Sequence, residues 1–154
     1  MEKKGTVAEW LETLVDVYGF SVITLSKYLG LSAEQIGALK DGRIDHLPQE
    51  TMAQLQKLLE QYSKIGFLYC CGADDKEMKL SAFLKVLLSY HGISKKTIAK
   101  MAGVDVTDID KILRSDKNRV PPEVKFKLAV TVFSLRFFLK ELEDGQMPDV
   151  SART

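Results

Sequence analysis

This chain of 154 residues has only two cysteines, Cys70 and Cys71, and they are adjacent. Adjacent cysteines give neither the spacing of a zinc site nor a disulfide framework. They read as small apolar residues near the end of a helix. Histidine is equally scarce: His46 and His91 are the only two. That excludes a Cys/His metal cluster and leaves no Ser/His/Asp order that would support catalysis. The stretch "CGADDKEMK" lacks the spacing of a phosphate-binding glycine loop. No enzyme activity and no cofactor is expected. No apolar run is long enough to span a membrane, because Arg136 and Lys140 interrupt the longest one. The opening "MEKKG" is followed by Glu9, Glu12 and Asp16, not by the uninterrupted apolar segment of a secretory signal. A cytoplasmic protein without membrane contact is expected. Strand signals are missing too: there is no sustained alternation and no Asn-Gly or Asp-Gly hairpin between apolar runs.

The apolar share is 45% and the charged share 28%, which suits a globular chain with one compact domain or two small ones. Net charge is only +1, but it is unevenly divided. Residues 10–68 carry five Lys or Arg against seven Asp or Glu, a net −2; residues 85–140 carry twelve against five, a net +7. A polyanionic partner should meet the second half.

Shifted by 73 positions, the sequence aligns with itself without a gap. "WLETLVDVYGFSVITLSKYLGLSAEQIGAL" falls on "FLKVLLSYHGISKKTIAKMAGVDVTDIDKI". Leu11 meets Leu84, Gly19 meets Gly92, Ser21 meets Ser94, Gly30 meets Gly103 and Ile36 meets Ile109; further on, Pro48 meets Pro121 and Leu55 meets Leu128. Glycine and proline in register carry weight because they constrain the backbone. The pattern predicts two copies of one unit: residues 1–71 and 81–145, with a linker over 72–80 and a flexible tail over 146–154.

Each unit reads as helix throughout. Trp10, Leu11, Leu14, Val15 and Tyr18 have helical spacing, and Gly19 ends that helix. Ser21 caps a short helix through Leu29, Gly30 turns the chain, and Ser32 caps another through about Lys40. Gly42 stops it, and Pro48 opens a longer helix carrying Met52, Leu55, Leu58, Leu59 and Tyr62. The second unit follows with Ser94 and Asp105 as caps and Pro121–Pro122 opening its last helix.

"TLSKYLGLSAEQIGALKDG" and "TIAKMAGVDVTDIDKIL" each pair two short helices across a glycine, with a small residue (Ser26, Ala99) at the crossing. Inward isoleucines (Ile36, Ile109) follow. This is the helix-turn-helix pattern. With "ALKDG" and then Pro48, it resembles the lambda-repressor/Cro class over about residues 8–65 and 81–138. The second unit departs from it at Ser115, where the first has Gly42. The resemblance implies an all-α fold, a tandem repeat of two lambda-repressor-like units each ending in a longer helix. It also implies a DNA-binding regulator of transcription that is often dimeric.

On a helical wheel, Ile109, Ile112 and Leu113 face inward, and Thr107, Lys111 and Arg114 face a groove. Asp105 and Asp108 fit capping roles, and Asp110 stands four residues before Arg114, a spacing that permits an ion pair. Asp110 is also able to accept from a cytosine amino group. Lys95, Lys96, Lys117, Asn118 and Arg119 flank the pair where phosphate contacts are made. In the first unit the outer face centres on Glu34, Ala38 and Asp41, with Gly37 beside it. No cation points at a groove there, so this face suits a protein partner.

The last helix, "PEVKFKLAVTVFSLRFFLKELE", carries two apolar stripes. Leu128, Val132, Leu135, Leu139 and Leu142 form one; Phe126, Val130, Phe133 and Phe137 form the other. A helix packed on one side needs only one stripe. The second is expected to form a homodimer interface, or else to pack against the other repeat as a covalent pseudo-dimer. The function expected is sequence-specific regulation of transcription on double-stranded DNA, read mainly by the second unit. The alternative is a protein-interaction module on the same scaffold, such as an antirepressor or a phage-encoded inhibitor.

Overall fold

The computed structural model describes residues 5–43, 47–114 and 119–143. The chain is all-α, with no strand among the described residues, and it divides into two compact units, residues 1–74 and 75–154. The first holds α1 (Thr6–Glu12), running into a π-helical turn (Thr13–Val17), then α2 (Val22–Leu29), α3 (Ala33–Lys40) and α4 (Met52–Ala73). The second holds α5 (Lys76–Ser89), α6 (Lys95–Ala102), α7 (Val106–Leu113) and α8 (Pro122–Leu139), with a 3-10 turn at Lys140–Leu142. The stretch 72–80, expected to be a linker, is helical except at Asp74 and Asp75. Asp75 caps α5 by accepting from Met78 N–H at 2.8 Å.

Caps and glycines cut the helices where the sequence places them. Ser21, Ser32 and Ser94 each accept from the backbone N–H three residues on, and Ser32 forms a reciprocal box with Gln35. Gly30 and Gly103 end α2 and α6 with φ of 64° and 72°, a left-handed geometry that favours glycine. Asp105 occupies the N-cap position of α7, but its side chain makes no capping bond. Thr51, which the sequence reading passed over, closes a second box with Gln54 and starts α4 at Met52, four residues after Pro48.

One stripe per helix fills each core. In the first unit Leu11, Leu14, Leu25, Ile36, Leu39 and Ile65 are all at most 1% exposed. In the second, Leu84, Leu87, Ile98, Ile109, Leu128 and Val132 are completely buried. Burial of this kind stabilises by roughly 1.5–3 kcal/mol per side chain. The 73-residue shift relates α2 to α6 and α3 to α7, but α4 begins at Met52 and α8 at Pro122, 70 positions apart. The ungapped pairing therefore fails in the last helix. Leu55 is 38% exposed while Leu128 is buried, and Leu58 takes the inward place instead. Ala38, expected on the outer face of α3, is buried. At the end of α3, Gly42 turns the chain with φ of 80° and Arg43 N–H donates to Ala38 O at 2.8 Å. On α8 the inward stripe holds from Leu128 to Leu139, but Leu142 is exposed.

Among the described residues each unit encloses polar side chains. Gln61 donates to Leu29 O at 3.2 Å and Gly30 O at 3.1 Å, satisfying carbonyls left open where α2 ends. In the second unit Glu143 is 6% exposed and lies 2.9 Å from His91 Nε2, while Arg136 Nη2 donates to its other oxygen at 3.0 Å. The Arg136 guanidinium carbon lies over the Phe83 ring, 4.6 Å from its centroid.

Glycine on α4 marks where aromatic rings of the first helix lie. A Cβ added at Gly66 would sit 2.8 Å from the Trp10 ring, whereas one at Gly37 in α3 meets nothing within 4 Å. Gly→Ala inside a helix gains up to about 1 kcal/mol, and overpacking costs about 1–3 kcal/mol. Gly37→Ala should therefore stabilise the first unit. Gly66→Ala should destabilise it by on the order of 1 kcal/mol. Urea unfolding followed by fluorescence of Trp10, the only tryptophan, separates the two outcomes.

Candidate nucleic-acid interface

α6, Gly103 and α7 form the helix-turn-helix of the second unit. Ile98, Ala99 and Ala102 seat α6 on the core, and Ile109 and Ile112 seat α7, with Leu113 packed at its edge. An eight-residue helix anchored this way turns Thr107 and Arg114 to solvent, with Lys111 half-buried beside them. Lys96, Lys100 and Arg119 are exposed. Lys117 and Asn118 lie outside the described residues.

The expected pairing of Asp110 with Arg114 is replaced by a longer-range one. Asp110 Oδ1 accepts from Lys95 Nζ at 2.8 Å, across α6 and α7. Arg114 Nε instead donates to the backbone carbonyl of Asp110 at 3.3 Å. The hydrogen bond from Lys95, more than its charge or that of Arg114, holds the Asp110 carboxyl below its ordinary pKa. Lys95 is thus engaged within the protein, and among the described residues Lys96, Lys111 and Arg114 of this face meet no carboxylate in an ion pair. No sequence spacing points to a Lys95–Asp110 pair, because the two residues come from different helices.

The corresponding surface of the first unit differs in kind. α3 turns Glu34 and Asp41 outward. Lys40 pairs with Asp16 at 2.9 Å, and Arg43 pairs with Asp41 at 3.1 Å. The hydrogen bond to Asp16 raises the Lys40 pKa above its ordinary value. Apolar side chains stand out on α2, with Ile23 73% and Tyr28 58% exposed.

The second stripe of α8 is open. Phe126 and Phe137 are 69% and 84% exposed, and Val130 is 50% exposed. Phe133 is partly drawn inward, edge-on to Phe83 at 5.3 Å between ring centroids. The sequence reading missed the Glu143 cluster. The signal available was Arg136, which sits at helical spacing among Val132, Leu135 and Leu139 and so requires a buried partner.

Among the described residues no His, Cys, Asp and Glu side chains form a group that could hold a metal ion, and no helix is long and apolar enough to cross a membrane. The family model for a helix-turn-helix domain matches residues 2–145, taking in both units. The chain belongs to that helix-turn-helix family, which at a coarse level is one of DNA-binding regulators. No curated protein and no solved structure matches the chain.

The Asp110 environment has a direct consequence. In a carbon-detected NMR titration its carboxyl should protonate below the usual aspartate value of about 3.9. The pair is intact above that range and is lost as pH falls through the lowered pKa. Lys95→Gln should move the midpoint back up. An unchanged midpoint in that variant would mean that Lys95 is not the cause.

Proposed function

We propose that this chain is a sequence-specific DNA-binding regulator of transcription built from two tandem lambda-repressor/Cro-like units, with α6–α7 as the reading element. The observation that carries the reading is the contrast between the two outward faces. α7 offers Thr107, Lys111 and Arg114, flanked by Lys96 and Arg119, while the cations beside α3 are held by carboxylates. Phosphate contacts from Lys96 and Arg119 position the protein, and Lys111 and Arg114 reach base edges. Lys117 and Asn118 belong to the same proposed phosphate-facing segment by sequence.

The working assembly in this reading is a homodimer joined through Phe126, Val130, Phe133 and Phe137. These positions repeat at intervals of four, three and four residues, the spacing of a coiled-coil seam. Two chains then present two reading elements to one duplex.

A second reading has its own support: Ile23 and Tyr28 are exposed on α2 beside an α3 face without unpaired cations. Such a surface favours a protein partner at the first unit, and a chain that used only this surface would be an interaction module.

Titration against duplex DNA decides between them. Lys96→Gln should weaken binding to every sequence and lower the salt slope by about 0.9, since one phosphate contact is lost. Lys111→Ala should cost roughly 1–3 kcal/mol at a preferred site and less elsewhere. Glu34→Gln should do neither. A parent protein that binds no duplex at low salt would leave the interaction module as the function.

The dimer is tested by sedimentation equilibrium. Phe126→Glu combined with Phe137→Glu should give a folded monomer from a dimeric parent, because both rings are mostly solvated within the chain. A monomeric parent, or a variant that remains dimeric, refutes the α8 interface.

A further inference from the structure

Asp110 lies on the flank of α7 next to the outward residues, and its carboxylate holds the ammonium of Lys95 at 2.8 Å. Lys95 opens α6, so the pair ties the start of the first helix to the middle of the second. The side chains are 46% and 34% exposed. Ion pairs this exposed are weak and exchange partners readily. A carboxylate beside DNA is repelled by phosphate unless a cation or a donor occupies it. In the major groove the donor suited to a carboxylate is the cytosine amino group. A complex made through phosphates alone offers no such donor.

We propose that the Lys95–Asp110 pair is a specificity-determining switch of partners. On duplex of arbitrary sequence the pair stays closed. At a matched site Asp110 accepts from a cytosine amino group, and the released Lys95 contacts a phosphate oxygen. The proposal rests on the reading of α6–α7 as the DNA-binding surface. It follows from charge: while closed, the pair withholds one cation from the phosphates, and on exchange that cation displaces a counterion. Each such contact changes the slope of log K against log salt by about 0.9, or about 3.5-fold in affinity over a fourfold change in salt.

Two variants move in opposite ways. Asp110→Ala frees Lys95 on every duplex. Its slope should steepen by about 0.9 on random duplex and stay the same at the matched site, and preference for cytosine at one position should disappear. Lys95→Gln removes a contact made only at the matched site. Its slope should fall by about 0.9 there and be unchanged on random duplex.

The experiment uses the full chain, a matched duplex selected by the parent from a random-sequence pool, and a random duplex of equal length. Affinity is measured at 50 to 200 mM salt, with circular dichroism melts showing that the variants fold. The opposite pattern of slopes supports the exchange. If Lys95→Gln lowers the slope equally on both duplexes, or Asp110→Ala leaves slopes and base preference as in the parent, the exchange is wrong while DNA binding stands. If the parent binds no duplex at 50 mM salt, the DNA-binding reading falls and the exchange with it.

Discussion

An eight-residue helix makes little more than two turns. It commits one face to the core and has one face left. In α7 the buried pair Ile109 and Ile112 makes that commitment. Thr107, Lys111 and Arg114 are outward as a consequence, not by independent placement. α3 obeys the same constraint with Ile36 and Leu39 inward, and there the outward positions hold Glu34 and Asp41. One backbone arrangement, set by capping serines and left-handed glycines, carries opposite charge in the two units. What either surface can bind is decided by the few side chains that the core leaves over.

The buried polar groups complete each core in different ways. Gln61 offers its amide to two carbonyls at the end of α2, which would otherwise be desolvated without partners. Glu143 is a carboxylate with little access to water, a costly arrangement without the His91 and Arg136 contacts that face it. Such clusters add less to net stability than their charges suggest, because desolvation offsets attraction. Their geometric effect is definite: the Arg136 guanidinium carbon sits over Phe83, 4.6 Å from the ring centroid, and Phe83 meets Phe133 edge-on. One member of the second α8 stripe is thereby tied inward while Phe126 and Phe137 stay in solvent.

Most of the helix framework was legible in residue patterns. Ser21, Ser32, Ser94, Gly30 and Gly103 act locally, through bonds and φ angles within a few residues, so the sequence alone exposes them. Inward isoleucines were legible for the same reason, since a period of 3.6 residues identifies a face. The last helix was less so. Its starts are 70 positions apart, not 73, because Thr51 begins α4 after Pro48 has passed, and an ungapped comparison carries no information about such a loop difference. Ala38 was misplaced because a small apolar residue is tolerated on either face, and its burial is set by tertiary packing.

By itself the sequence determined the all-helical class, the turns, the division of charge and the inward isoleucines of α3 and α7, all of them properties that depend on neighbours along the chain. Tertiary structure alone decided which charges are occupied. Lys95 meets Asp110, Lys40 meets Asp16, and Glu143 meets His91 and Arg136, at separations of 15, 24, 52 and 7 residues. An ion pair depends on a distance of a few ångströms between side-chain tips. Packing of whole helices sets that distance, and periodicity along the chain does not encode it.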